Sequence, residues 1–255
     1  MIYSIINIEF MNNNKNKDYW NNLNINYSKM WEGRAQQEMS KREMSFINYF
    51  LEKSSPKKIL DIGVGTGRIL ENYIRNSPPN SEIYGVDISD KMVKICQDKF
   101  KNEKGIRAIK VCDVSQKQIS FDDDFDFITA IRVLKYNKNW PEILQKIYYQ
   151  LNKNGIFIFT MLNNNSINRF FKSGIPIYRT TKKELKSIFK KIGYDILEIR
   201  SFTKVPDFFY KFSNNLLYVK LLILAEGLLE KILGNTFLGR ILFVAVKKGK
   251  NNMTI

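Results

Sequence analysis

The sequence predicts an α/β fold, a mostly parallel sheet with helices on both faces. Three observations lead there. Short apolar runs rich in Ile, Val and Phe alternate with helical segments along most of the chain. A glycine-rich turn, "DIGVGTGR", joins the first such run to a helix. Three successive runs also end in an aspartate: Asp61, Asp87 and Asp113. With 255 residues, 44 % of them hydrophobic, the chain can bury a sizeable core.

Residues 1–26 read as a flexible tail, Asn- and Lys-rich across 11–24. The start lacks the basic region and small-residue cleavage site of a signal peptide. From Tyr27 to Lys53 the pattern turns helical. Met39, Met44, Phe46, Ile47, Phe50 and Leu51 fall near i, i+3 and i+4, and Pro56 ends the run. This predicts a helical lid over 27–53 at the front of a single domain spanning 27–250. Strands then follow in "KKILDIG", "EIYGVDI", "IRAIKVCDV", "FDFITAI" and "GIFIFTML". The helix "RILENYIRN" follows the glycines, and "KMVKICQDKFK" is capped by Ser89 or Asp90. A helix from Trp140 to Leu151 opens with Pro141, and "TKKELKSIFKKIG" ends its helix at Gly193. "YDILEIRSF" and "RILFVAVKK" are the last strands.

An apolar insert separates those last two strands, from Pro206 to Gly239. Lys220, Glu226, Glu230 and Lys231 make it amphipathic rather than membrane-spanning. It suits a lid, a dimer face or a surface helix on lipid. As a lid it forms one or two helices that wall the substrate pocket, with Phe208, Phe209, Leu216 and Leu217 facing inward.

The glycines carry the functional reading. Without a Cβ, a strand that ends in Gly-x-Gly and opens a helix brings backbone N–H groups close to a ligand. A phosphate P-loop needs Gly-Lys-Ser/Thr, whereas Gly67 is followed by Arg68 and Ile69. The dinucleotide fingerprint needs its third glycine at position 68, which is Arg68. An ordinary tight turn stays open on the glycines alone. Asp87 and Asp113 weigh against it. An acid about twenty residues on suits ribose hydroxyls, and Asp113 with the Val114 N–H suits an adenine edge.

These motifs resemble those of the class I S-adenosylmethionine-dependent methyltransferases. "LDIGVGTGR" resembles the family's first motif, "YGVDIS" its second and "CDV" its third. "FDFITAIRVLKY" resembles the fourth, and "LNKNGIFIF" the strand after a Gly-marked turn. The resemblance implies a Rossmann-like fold with a seven-stranded sheet, one strand antiparallel near an edge. It implies S-adenosylmethionine as cofactor. Asp61, Gly63, Gly65 and Gly67 would lie beside its amino-acid part. Asp87 would hold the ribose, Ile88 would pack on the adenine, and Asp113 and Val114 would hold the adenine edge. Arg132 and Val133 would face the sulfur end.

The acceptor is less sharply drawn. The formal net charge is +16, which favours an anionic partner. The lysines are scattered, with doublets only at Lys57-Lys58, Lys182-Lys183, Lys190-Lys191 and Lys247-Lys248, which disfavours nucleic acid. The two cysteines, Cys96 and Cys112, make no disulfide framework and suit a reducing, cytoplasmic setting. The chain has no histidine, so a base would be Asp, Glu, Tyr or Lys, and no catalytic residue is named. Base amino-methylation and C5-methylation motifs are absent. Arg132 and Lys135 stand where metal-dependent relatives place acids, so no metal is expected. Tyr27, Trp31 and Arg34 recur at helical spacing and would share a substrate face. Arg169, with Asn163 and Asn164, leaves the fifth strand toward the pocket. The expected acceptor is a small molecule, anionic or lipid-linked; the alternative is an RNA methyltransferase.

Overall fold

The computed structural model describes residues 16–23, 31–116, 119, 121, 124–170, 175–206, 209–210, 215–234 and 239–249. Its sheet runs in the order β3-β2-β1-β4-β5-β8-β7. The strands are β1 (Lys58–Ile62), β2 (Glu82–Asp87), β3 (Ile106–Val111), β4 (Phe125–Ala130), β5 (Leu151–Asn163), β6 (Arg179–Thr180), β7 (Tyr194–Phe202) and β8 (Ile241–Lys248). Strands β1 to β5 pair in parallel, and β8 is antiparallel to both β5 and β7. The expected seven-strand path is present. An eighth strand, the two-residue β6, pairs with β5 off that path.

Apolar residues on both faces of the strands give two cores. Helices α2 (Arg34–Ser54), α3 (Arg68–Asn76) and α4 (Asp90–Phe100) cover one face through Ile47, Leu51, Leu70, Tyr73, Cys96 and Phe100. Helices α5 (Trp140–Gln150) and α6 (Lys182–Ile192) cover the other through Leu144, Ile147, Leu185 and Phe189. Cap chemistry sets the helix starts. Ser89, not Asp90, caps α4, its hydroxyl accepting from the Met92 N–H at 3.1 Å. The Thr181 hydroxyl caps α6 by accepting from the Glu184 N–H, and Gly193 ends α6 at φ 101°.

Three expectations need correction. Residues 16–23, assigned to a flexible tail, form a helix, α1. Its asparagines hold it down: Asn16 donates to the Tyr136 carbonyl, Asn21 to Asp90, and Asn21 accepts from the Ser89 hydroxyl. The second helix starts at Arg34 rather than Tyr27, because Gly33 is extended, at φ −64° and ψ 142°. Tyr27 lies outside the described residues. The insert forms α7 (Leu216–Leu233), but Leu217 is 67 % and Phe209 37 % exposed rather than facing inward. Phe208 and the side chain of Leu216 lie outside the described residues. The phase of α7 is set by Glu226. This acid points inward to accept from the Val205 N–H at 2.8 Å and from the Tyr210 hydroxyl. Leu217, nine positions earlier, is two and a half turns away and points out.

Candidate active site

The parallel strands deliver their carboxyl ends to one edge, beside the switch point between β1 and β4, where the chain returns from β3 to the other side of β1. The glycine loop leaves β1 there. Gly63, Gly65 and Gly67 have φ of 79°, 53° and 89°, all in the left-handed region. The N–H groups of Gly63 and Val64 both donate to the Val86 carbonyl, which pins the loop to β2. A Cβ on Gly63 would stand 2.3 Å from Val133 Cγ2. A Cβ on Gly67 would instead strike the Phe100 ring at 2.2 Å, so this glycine lets α4 pack close.

Below the loop edge lies a cavity of about 550 Å3, within the usual range for small-molecule and cofactor sites. Gly63, Gly65, Asp87, Ile88, Asp113, Val114, Arg132 and Val133 line it. Asp87 Oδ2 accepts from the Gly65 N–H at 2.8 Å and Oδ1 from the Ser89 N–H at 2.9 Å. Burial raises its carboxyl above the usual value, against the pull of those N–H groups. Asp113 is held by the Ser115 N–H at 2.9 Å. Trp20, Trp31, Met39, Tyr136 and Tyr210 also line it. Trp20 meets Tyr136 edge to face, with centroids 5.2 Å apart, so α1 packs against the cavity wall.

Asp61 stands behind this wall and does not line the cavity. It is 1 % exposed, and its Oδ1 accepts from the Thr129 hydroxyl at 2.6 Å. Its Oδ2 has no hydrogen-bond partner among the described residues. Burial above all pushes its pKa up to about 7; Thr129 and Arg68 lower it and Asp87 raises it. Gly67 is likewise off the wall. Arg34 and Arg169 are exposed and do not line the cavity, so neither is brought to the site. Asn163 is buried but ties the strand end to the Gly239 carbonyl at 2.9 Å, and Asn164 is exposed. Trp31 does line the cavity, yet not on a helical face shared with Arg34.

An unforeseen cluster supports the loop. Glu43 of α2 is 2 % exposed and binds both Arg68, at 2.7 Å, and Arg132, at 2.6 Å. Both guanidinium groups lie over the Trp31 ring, at 3.9 and 4.8 Å from its centroid. Glu43 thus fixes both guanidinium groups, with Arg132 on the cavity wall. The sequence signal was there: Glu43 interrupts an apolar stripe that continues at Phe46, Ile47 and Phe50. An acid buried on such a stripe needs a partner.

An open parallel sheet with a glycine loop and acids along one edge defines a Rossmann-like, nucleoside-binding class of protein. The sequence profile of the methyltransferase domain matches residues 31–199 of this chain. The chain belongs to that family, within the class I S-adenosylmethionine-dependent methyltransferases. It is 28 % identical over 195 residues to a malonyl-[acyl-carrier protein] O-methyltransferase of Bacillus cytotoxicus, covering 69 % of this chain and 66 % of that one. It is 23 % identical to a demethylmenaquinone methyltransferase of Staphylococcus carnosus, covering 76 % of this chain and 86 % of that one. The fold matches magnesium protoporphyrin IX methyltransferase from Synechocystis PCC 6803 with a TM-score of 0.63 at 12 % identity, covering 93 % and 97 % of the two chains.

The residues present fit the family's cofactor. Gly63 and Gly65 line the cavity without a Cβ, and Asp87, its oxygens fixed by the Gly65 and Ser89 N–H groups, lines it at the ribose position. Among the described residues no cluster of His, Cys, Asp and Glu could hold a metal ion.

Proposed function

We propose that the protein transfers a methyl group from S-adenosylmethionine to a small-molecule or lipid-linked acceptor. One observation carries this reading. The cavity that the glycine loop lines is lined as well by the rings of Trp20, Trp31, Tyr136 and Tyr210. An aromatic-lined cavity of this size suits a compact, partly apolar acceptor rather than a folded RNA. The cited relatives, named for an acyl-carrier-linked acid and for a quinone precursor, support the same acceptor class.

The bound cofactor supplies an electrophilic methyl on a sulfonium. The chain must exclude water and hold the acceptor in line. Trp20 and Tyr136 pack together at the cavity wall, and Trp31 is fixed by its two arginines. Tyr210 faces the cavity with its hydroxyl bonded to the buried Glu226, so it can relay a proton from an acceptor hydroxyl. Gly63, Gly65, Asp87, Ile88, Asp113, Val114, Arg132 and Val133 hold the cofactor in this reading. Asp61 acts from behind the loop.

The test uses methyl-labelled S-adenosylmethionine with the purified protein and a cell extract split into small-molecule, lipid and RNA fractions. Label in the small-molecule or lipid fraction is expected. Label confined to RNA would overturn the reading in favour of an RNA methyltransferase. Absence of any cofactor binding by calorimetry would overturn both.

A further inference from the structure

Helix α7 has an apolar side that stands exposed among the described residues. Leu217, Leu221, Leu224, Leu228 and Ile232 are 67, 55, 63, 59 and 76 % exposed. At 3.6 residues per turn they fall in an arc of about 80° along the whole helix. The inner side is buried: Val219 and Leu222 pack toward α2, and Arg42 of α2 donates to the Ile223 carbonyl. A helix apolar on all sides is ordinarily covered on all sides. Here the outer leucines form one contiguous patch, which in a soluble domain marks an interaction surface.

The charges of the helix say what kind. Its two acids face inward. Glu226 is 3 % exposed and bound to Val205 and Tyr210, and Glu230 reaches Arg200 at 3.8 Å. Its two lysines, Lys220 and Lys231, are exposed and flank the leucine stripe along one margin. The outer surface thus carries apolar residues and positive charge, with the negative charge turned away. A second copy packed antiparallel on this stripe would set lysines against lysines. An anionic lipid surface would take the leucines into its acyl boundary and the ammonium groups among its headgroups.

We propose that α7 docks the protein peripherally on anionic membrane. The helix that carries the surface is tied to the cavity wall from its inner side, where Glu226 bonds the wall residue Tyr210. No helix among the described residues is long and apolar enough to cross a membrane, so the contact is interfacial. This inference does not depend on which acceptor is methylated.

Co-sedimentation tests it, with vesicles of phosphatidylglycerol and, separately, of phosphatidylcholine. The wild type should pellet with phosphatidylglycerol vesicles and much more weakly with phosphatidylcholine. Lys220→Gln with Lys231→Gln should weaken binding to the anionic vesicles by about fivefold per lysine and leave the neutral ones unchanged. Leu224→Asp with Leu228→Asp should abolish pelleting on both. S-adenosylhomocysteine affinity, unchanged in both variants, shows that they are folded. The proposal is overturned if the wild type ignores vesicles or binds both kinds equally. It is also overturned if the leucine variant pellets like wild type, or if the wild type is a dimer that this variant splits and lipid binding is absent.

Discussion

At Asp87 both carboxylate oxygens already accept a backbone N–H, from Gly65 and Ser89, which aims their remaining lone pairs into the cavity. Hydrogen bonds to a charged acceptor carry about 1.5–3 kcal/mol. Asp87→Ala should therefore weaken S-adenosylmethionine binding by about that much in calorimetry, with the fold retained by circular dichroism. Affinity within a factor of two of wild type would place the cofactor elsewhere. Asp61 makes a different prediction. Its pKa is raised to about 7 by burial, against 3.8 ordinarily. Between those values the folded state holds a proton that the unfolded state has released. Its contribution to the stability of the cofactor-free protein is therefore full below pH 3.8, and it is lost as pH rises toward about 7. Asp61→Asn removes that loss. It should raise the melting temperature relative to wild type at pH 8 and do so far less at pH 5. An equal difference at both pH values would show that Asp61 does not titrate in this window. Asp61 and Gly67 also mark where motif reading reaches its limit. A motif gives spacing, but whether a residue faces the ligand or the layer behind depends on loop conformation. Here Phe100 occupies the side of Gly67 that a Cβ would need.

Among the elements, α2 is the one that joins the scaffold to the site. Glu43 sits on its inner stripe and holds Arg68, which opens α3, and Arg132, which follows β4. Removing one partner of a buried charge pair costs about 3–5 kcal/mol. Arg68 and Arg132 keep 19 and 23 % of their side-chain surface, so solvent softens the loss. Glu43→Ala should destabilise the protein by about 2–3 kcal/mol in urea unfolding, below that range because the arginines stay partly solvated. A loss under about 0.5 kcal/mol, the ordinary scale of a surface substitution, would mean that the arginines re-pair with solvent or other acids. The strands and most helices were readable from alternation and caps, because Ser89, Pro141 and Gly193 each have one obvious local role. The misses occurred where tertiary partners decide. The 16–23 segment is mostly polar, and its bonds to Ser89, Asp90 and Tyr136, with Trp20 packed on Tyr136, hold it as a helix beside the cavity. The phase of α7 was unreadable because nearly every position in it is apolar. The inward turn of Glu226 selects the buried side.

Across the whole molecule the charge of +16 is spread rather than gathered. Helix α4 exposes Lys91, Lys94 and Lys99 on one face of the sheet, and α6 exposes Lys182, Lys183, Lys186, Lys190 and Lys191 on the other. On α4 the charge is partly neutralised locally, since Lys94 pairs with Asp98 and Lys99 with Glu71, each at 3.0 Å. An RNA backbone tracks a continuous positive groove, often with aromatic platforms beside it. Here the clustered aromatic rings of the site line the cavity, beside α1, and the basic helices lie on opposite faces. Non-specific electrostatic attraction remains, in the range of about 10⁻⁴ to 10⁻⁶ M at physiological salt. The protein should accordingly bind transfer RNA no tighter than that in filter-binding assays. A sub-micromolar affinity would require the phosphates to find a surface that joins the two basic helices. That result would move the acceptor from the cavity to the RNA class and leave the glycine loop and Asp87 with the same cofactor role.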